Sequence, residues 1–240
     1  MKVVLIQGQS HQGITCHMGR RMAELMTNQQ SVTEFFLPRD MDQFCTGCLS
    51  CVKNGLSTCP HHEKMSPILE AMMDADVMIF TTPVYCMRTT GSMKAFLDHC
   101  FYLWMNHQPD ERMFHKQAVI IAGGAGGGMG KAAEDIRTSL DNWGVSHIFI
   151  CKSITAAYTW QGVSEKRKAK MEHKISRMAQ KVKKQSNNCT VRPGQKFHFL
   201  CMILFHKKHW GMREDFLYWE KQGWLKGNRP WKKNKHKEEQ

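Results

Sequence analysis

The stretch that decides the fold is Met1 to Thr15, MKVVLIQGQSHQGIT. Val3 to Ile6 is a β-branched and leucine run without a charge. Such a run belongs to a strand covered on both faces, as at the centre of a parallel sheet. Gly8 then releases the backbone, and Gln9 to Thr15 is polar and broken again at Gly13. Cys16 to Thr27 continues with Met18, Met22, Leu25 and Met26 at helical spacing. Strand, small polar loop and helix is how an open α/β sheet builds an anion site at the carboxyl edge of its strands. Loop N–H groups and the helix N-terminus would face the anion. The loop is not GxGxxG, and it lacks the Lys-Ser or Lys-Thr of a nucleotide triphosphatase. Taken alone it is equally an ordinary turn, with Ser10 and Thr15 serving turn and cap chemistry.

The rest of the chain repeats the alternation. Strands are expected at Val32 to Leu37, Ala75 to Thr81, Ala118 to Ala122 and His147 to Cys151. Helices are expected at Glu63 to Met73, Ser92 to Trp104, Lys131 to Trp143 and Val163 to Lys184, with Arg39 to Pro60 as a loop. Five strands alternating with helices predict an α/β fold, a doubly wound five-stranded parallel sheet with helices on both faces. The expected strand order is 2-1-3-4-5, which puts a ligand at the switch between the first and third strands. Residues 1–190 would form this domain with a cysteine-rich insertion at 39–60, and 191–240 an aromatic and basic C-terminal extension.

Two later loops reach the same sheet edge. After the third strand come Thr82-Pro83-Val84-Tyr85-Cys86-Met87-Arg88, in which Pro83 stops the ladder. Tyr85 is placed either to pack on a flat ring or as a core aromatic at a strand end. After the fourth strand, six of the eight residues from Gly123 to Gly130 are glycine. Glycine costs backbone entropy, so the run asks for a reason: positive dihedrals, close approach to a bound group, or only a flexible surface loop.

Four of the ten cysteines cluster as C-x2-C-x2-C-x7-C: Cys45, Cys48, Cys51 and Cys59. Four thiolates can converge on one metal centre. Zinc commonly takes two CxxC pairs with a longer spacer. A compact triple plus a distant fourth is closer to the pattern of cubane iron–sulfur clusters. Redox or incidental thiols are the remaining reading. His61 and His62 follow, either beside the metal or as surface residues opening a helix. The other six cysteines (Cys16, Cys86, Cys100, Cys151, Cys189 and Cys201) read as structural or incidental.

The 240 residues carry a formal charge of +13, concentrated at Lys166 to Lys184 and Lys226 to Lys237. Such tracts attract nucleic acid or an anionic partner, or are simply a solvated helix face and a tail. The longest apolar run, Phe197 to Phe205, is interrupted by His198 and is too short to cross a bilayer. The chain enters a strand directly without a signal-peptide pattern, so the expectation is a cytoplasmic protein with no membrane partner.

Taken together these motifs resemble the NAD(P)H-dependent FMN reductase branch of the flavodoxin-like superfamily, and within it the iron–sulfur flavoproteins. The resemblance rests on Gly8 to Thr15, on Thr82 to Tyr85 with Lys94-Ala95-Phe96-Leu97-Asp98, on Gly123 to Gly128 and on the four cysteines. Asp215 to Trp219 and Gly223-Trp224 resemble the tail of related oxidoreductases. It departs at His11, where many relatives carry arginine, and at Cys86.

The resemblance implies FMN as cofactor. Gly8, Ser10, His11, Gly13, Ile14 and Thr15 would hold its phosphate, with Pro83, Val84, Tyr85, Cys86, Met87, Gly123, Gly124, Gly126 and Gly127 around its ring. It implies a 4Fe-4S cluster on Cys45, Cys48, Cys51 and Cys59, placed near the ring. It implies electrons from reduced nicotinamide or an electron-carrier protein, no side-chain acid or base, and a homo-oligomer (dimer or tetramer) that covers the cluster-bearing edge. The alternatives are an FMN or quinone reductase with zinc or no metal, and a basic nucleic-acid-binding module.

Overall fold

The computed structural model describes residues 1–186 and 190–232. Cys189 and the basic tail beyond Lys232 lie outside the described residues. In chain order the elements are β1 (Val3–Gln7), α1 (Ile14–Met26), β2 (Val32–Phe36), α2 (Ser50–Lys53), α3 (His62–Asp74), β3 (Val77–Pro83) and α4 (Gly91–His99). There follow β4 (Gln117–Gly124), α5 (Met129–Asn142), β5 (His147–Ile154), α6 (Glu165–Ser186), α7 (Pro193–Lys207) and α8 (Arg213–Lys221). The sheet order is β2-β1-β3-β4-β5, every pair parallel, as the alternation predicts.

Every residue of β1 is buried, because each face of the sheet has its own core. Val4, Ile6, Met78 and Phe80 point toward α3, α4 and α5, meeting Met65, Phe96 and Ile136. Val3, Leu5, Val77 and Ile79 point the other way, toward Met18 and Met22 of α1 and Met171 and Ile175 of α6. Each fully buried side chain of this size contributes about 1.5–3 kcal/mol. A third cluster holds the C-terminal helical extension. Phe199, Trp219 and Trp224 pack on Met105 and Phe114 of the segment before β4. Polar ties close it: Trp219 Nε1 donates to the His107 carbonyl (2.8 Å) and the Tyr218 hydroxyl to the Pro109 carbonyl (2.8 Å).

Three sequence expectations change. The 39–60 segment is not all loop, since it contains α2 and one further turn at Leu56–Thr58. Cys51 and Val52 give that short helix a buried side. The helix expected from Ser92 to Trp104 starts at Gly91, capped by the Thr90 hydroxyl accepting from the Met93 N–H, and ends at His99. The chain then tightens into a single turn at Phe101–Leu103. Gly123 and Gly124 belong to β4, paired with Ser153 and Ile154, so only the rest of the glycine run is a turn. Among the described residues no helix is long and apolar enough to cross a membrane.

Candidate functional site

The carboxyl edge of β1, β3 and β4 is held together by backbone contacts. Gly8 leaves β1 with its N–H on the Thr81 carbonyl (2.8 Å), while its own carbonyl accepts from the hydroxyls of Thr90 (2.6 Å) and Ser92 (2.9 Å). A Cβ on Gly8 would stand 2.5 Å from the Thr81 oxygen, so the close approach of the two strand ends requires glycine. Ser10, His11 and Gln12 are exposed beyond it. Gly13 caps α1 without a side-chain hydrogen bond, and the first turn of α1 carries no acidic residue. The orphan N–H groups and positive end of that helix are therefore open to an anion. Ile14 and Thr15 are buried; the methyl of Thr15 would lie 2.6 Å from a Cβ on Gly123. The Thr15 position thus joins the first loop to the third.

The loop after β3 is a tight hairpin. Tyr85 and Arg88 exchange both backbone hydrogen bonds (3.1 and 2.9 Å) around the two residues Cys86 and Met87. Both have left-handed φ, 48° and 65°. Two-residue hairpins favour this geometry, normally with glycine or asparagine. Here two L side chains hold it, at a cost of order 1–3 kcal/mol each. Anchors surround it. Arg88 pairs with Asp135 of α5 (2.8 Å), and the hydroxyls of Thr82 and Thr89 meet at 2.9 Å. Tyr85 is 44% exposed and Met87 54%, so the core reading of Tyr85 fails. The Tyr85 hydroxyl receives a hydrogen bond from Gln9 Nε2 (3.2 Å), joining hairpin to first loop.

The glycine turn completes the edge. Val84 N–H donates to the Gly123 carbonyl (2.8 Å). Gly128 has φ +81°, and a Cβ there would be 2.6 Å from Val84 Cγ1 and 3.0 Å from the Met87 Cα. Gly124 is less tightly enclosed, with a Cβ there 3.0 Å from the Gly127 carbonyl oxygen. Gly126 and Gly130 have open space around them. The run therefore has two physical causes: packing at Gly123, Gly124 and Gly128, and openness at Gly126. A cavity of about 290 Å³ adjoins this edge, lined by Gln9, Tyr85, Ser92, Met41 and Phe44. The last two lead into the cysteine loop.

That loop turns through left-handed φ at Gly47 (68°) and Leu49 (60°). Hydrogen bonds from the hydroxyl and backbone of Ser50 lower the Cys48 thiol to about 7. Burial pushes Cys51 up to about 11, helped by the nearby thiols of Cys59, Cys45 and Cys48. The four are neighbours, and they match an iron–sulfur cluster in donor type and number. As the side chains stand, no group of three or more His, Cys, Asp or Glu is gathered closely enough to hold a metal ion among the described residues. Two neighbours were not singled out by sequence. Cys100 is fully buried, its thiol pushed well up by burial and then by Cys45, Asp98 and Cys51. His99 Nδ1 bonds the Ala95 carbonyl (2.8 Å), so its Nε2 accepts from His61 Nδ1 (2.9 Å). Only the packing of α4 brings these two residues to the loop, and no local pattern announces it.

Residues 1–157 match the family of NADPH-dependent FMN reductases. An iron–sulfur flavoprotein of Methanocaldococcus jannaschii is 29% identical over 129 residues, 53% of this chain and 65% of that protein. An iron–sulfur flavoprotein of Archaeoglobus fulgidus is 25% identical over 105 residues, 44% of this chain and 46% of that protein. The chain thus spans between about half and two thirds of the length of these relatives. In fold it is similar to an FMN-dependent NADH-azoreductase of Bacillus anthracis solved with FMN, with a TM-score of 0.54 at 14% identity, covering 75% of this chain and all of that one. The family match takes in all three interlocked loops and the cysteine segment, and the chain belongs to the NADPH-dependent FMN reductase family.

Proposed function

We propose that the protein is an FMN-dependent oxidoreductase that draws electrons from NAD(P)H or a reduced carrier protein and passes them to an external acceptor. The observation that carries this reading is the interlocked edge: an uncapped helix N-terminus, an exposed aromatic hairpin and a glycine turn tied into one surface. The N–H groups at the start of α1 and the Ser10 hydroxyl hold the terminal phosphate. Tyr85 and Met87 on one side and Gly124 to Gly127 on the other frame the ring and exclude water from it. Bound FMN supplies the exchange between two-electron and one-electron transfer.

Cys45, Cys48, Cys51 and Cys59 are the proposed ligands of a 4Fe-4S cluster. Their spacing, the nearness of the other three to Cys51 and the names of the matched relatives support this. The second reading, a flavin reductase without a cluster, is favoured by the ungathered thiols. Every described cysteine is free, which supports a reducing, cytoplasmic setting. Self-association is supported by an apolar stripe on the outer face of α7, where Phe197 is 69% and Leu204 64% exposed.

The test is anaerobic purification followed by an absorption spectrum with flavin, iron and sulfide counts. We expect about one FMN and about four irons per chain. No flavin after reconstitution overturns the reading; flavin without iron selects the second one. Light scattering of the same sample reads the oligomer.

A further inference from the structure

A groove of about 710 Å³ runs between the end of β5 and the first turns of α6. Lys152 lines it from the strand; Lys166, Arg167, Lys170 and Lys174 line it from the helix. No carboxylate lines it, and none of the five cations forms an ion pair among the described residues. Lys166, Lys170 and Lys174 follow one another at i, i+4 and i+8, so their like charges stand in one row and repel. Lys174 Nζ is held on the Lys152 carbonyl (3.0 Å). Guarding the free edge of β5 would explain Lys152 and Lys174. It does not explain Lys166, Arg167 and Lys170, which lie on the helix and leave a cavity between themselves and the strand.

The groove also has a definite neighbour. Met129, in its wall, has its sulfur 3.1 Å from where a Cβ on Gly124 would stand, and Thr155 N–H donates to the Gly124 carbonyl (2.9 Å). The groove therefore opens directly beside the glycine turn. Met129 and Met171 give it apolar wall among the cations.

We propose that this groove binds the adenosine half of NADPH, with Lys166, Arg167 and Lys170 on its 2′-phosphate and the methionines against the adenine. The volume is that of a small-molecule site rather than a duplex-binding face. The assignment rests on the FMN reading for the position of the nicotinamide, but the groove's affinity for the nucleotide does not depend on it.

The experiment is calorimetric titration of adenosine 2′,5′-bisphosphate and of 5′-AMP, neither of which can donate electrons. Both are titrated into the FMN-loaded protein and the flavin-free protein. The wild type is expected to bind the bisphosphate about tenfold or more tightly than 5′-AMP. The triple variant Lys166→Gln, Arg167→Gln, Lys170→Gln is expected to bring that ratio to within about twofold. Its FMN dissociation constant, read by flavin fluorescence, should stay within about twofold of wild type and reports that the fold is intact. In turnover, KM for NADPH should rise about tenfold more than KM for NADH. Equal affinities for the two nucleotides in the wild type, or an unchanged ratio in the variant, overturn the proposal. Duplex DNA that displaces the bisphosphate at about 0.15 M salt overturns it too, in favour of a general polyanion surface. Loss of FMN binding by the wild type would instead overturn the proposed function, with the titration of the flavin-free protein still reading the groove.

Discussion

Two loop systems leave the carboxyl edge of the same sheet, and they are built on opposite principles. The FMN edge is assembled from backbone: Gly8 on Thr81, Val84 on Gly123, Gly128 against Met87. Those contacts are all between groups of the protein itself, so they preorganise the edge and keep the ordering cost of binding small. The backbone bonds of the cysteine loop instead run between its own near neighbours, as from Lys53 to Leu49 and from Cys59 to Leu56. The thiols of Cys59, Cys45 and Cys48 stand close enough to Cys51 to oppose its ionisation, yet the side chains are not gathered as ligands among the described residues. Cysteine ligands give up their protons as a metal binds, so a site of this kind closes around its cation. The lesson is that the proposed nucleotide site is readable as geometry, whereas the proposed metal site is readable as composition only.

The sharpest break between the two would come from the double variant Cys45→Ser, Cys59→Ser. Iron should fall from about four per chain to near zero, while FMN affinity stays within about twofold. Iron analysis beside a flavin titration checks both. A variant that loses both cofactors together would mean that the cysteine loop helps build the flavin site, and the contrast would be gone.

The converse substitution is Gly8→Ala. Its new Cβ would stand 2.5 Å from a backbone carbonyl, which cannot step aside as a side-chain end can. We expect about 2–3 kcal/mol of destabilisation in urea and at least about a tenfold loss of FMN affinity. Gly126→Ala, in open space on the same edge, should stay within about 0.5 kcal/mol. Equal effects at the two positions would show that the strand ends are looser than their contacts imply.

A third effect separates the extension from both loops. His206 of α7 is fully buried among Trp219, Phe205 and the segment before β4, and burial lowers its imidazole to about 4. Asp215 opposes that shift and His107, bonded to Asp215 at 2.8 Å, adds to it. The folded value lies below the unfolded one near 6.5. Its contribution to stability is therefore complete above about pH 6.5 and is lost as pH falls toward 4. The expected loss is about 3 kcal/mol, reported by tryptophan fluorescence of Trp219 and Trp224. His206→Gln should flatten that slope. An unchanged slope in the variant would assign the transition to carboxylates such as Asp110, whose Arg112 partner holds its pKa below the usual range.

How much of this was legible in sequence follows from what each feature is made of. The sheet and its order were, because Val3 to Ile6 and the later strands are apolar runs punctuated by glycine and proline. The meeting of three loops at one sheet edge was too, since glycine and Thr-Pro-Val-Tyr are local signals and the strand order brings them together. Side-chain environments formed by distant segments were not. Cys100 reaches the cysteine loop only through α4, and Lys152 meets Lys166 only because β5 and α6 pack together. The inner and outer faces of α7 were also hidden, because Phe197 to Phe205 is apolar nearly all round. Phe199 and Ile203 turn inward while Phe197 and Leu204 do not.

The smallest expected effect concerns the one place where the FMN edge departs from backbone economy. At the hairpin tip Met87 adopts φ 65° although a side chain is disfavoured there. Glycine would adopt the same turn without strain, so Met87→Gly should change stability by less than about 1 kcal/mol, in the stabilising direction if relief of strain exceeds the entropy of the freer unfolded chain. The same variant removes an exposed thioether that stands 3.5 Å from where a Cβ on Gly127 would be, on the wall of the proposed ring site. FMN affinity should therefore fall a few-fold while the urea midpoint holds or rises. Opposite signs in the two measurements would mean that the left-handed methionine is kept for what it covers. A fall in both would mean that Met87 is an ordinary packing residue, and that the hairpin depends on its side chains to keep its shape.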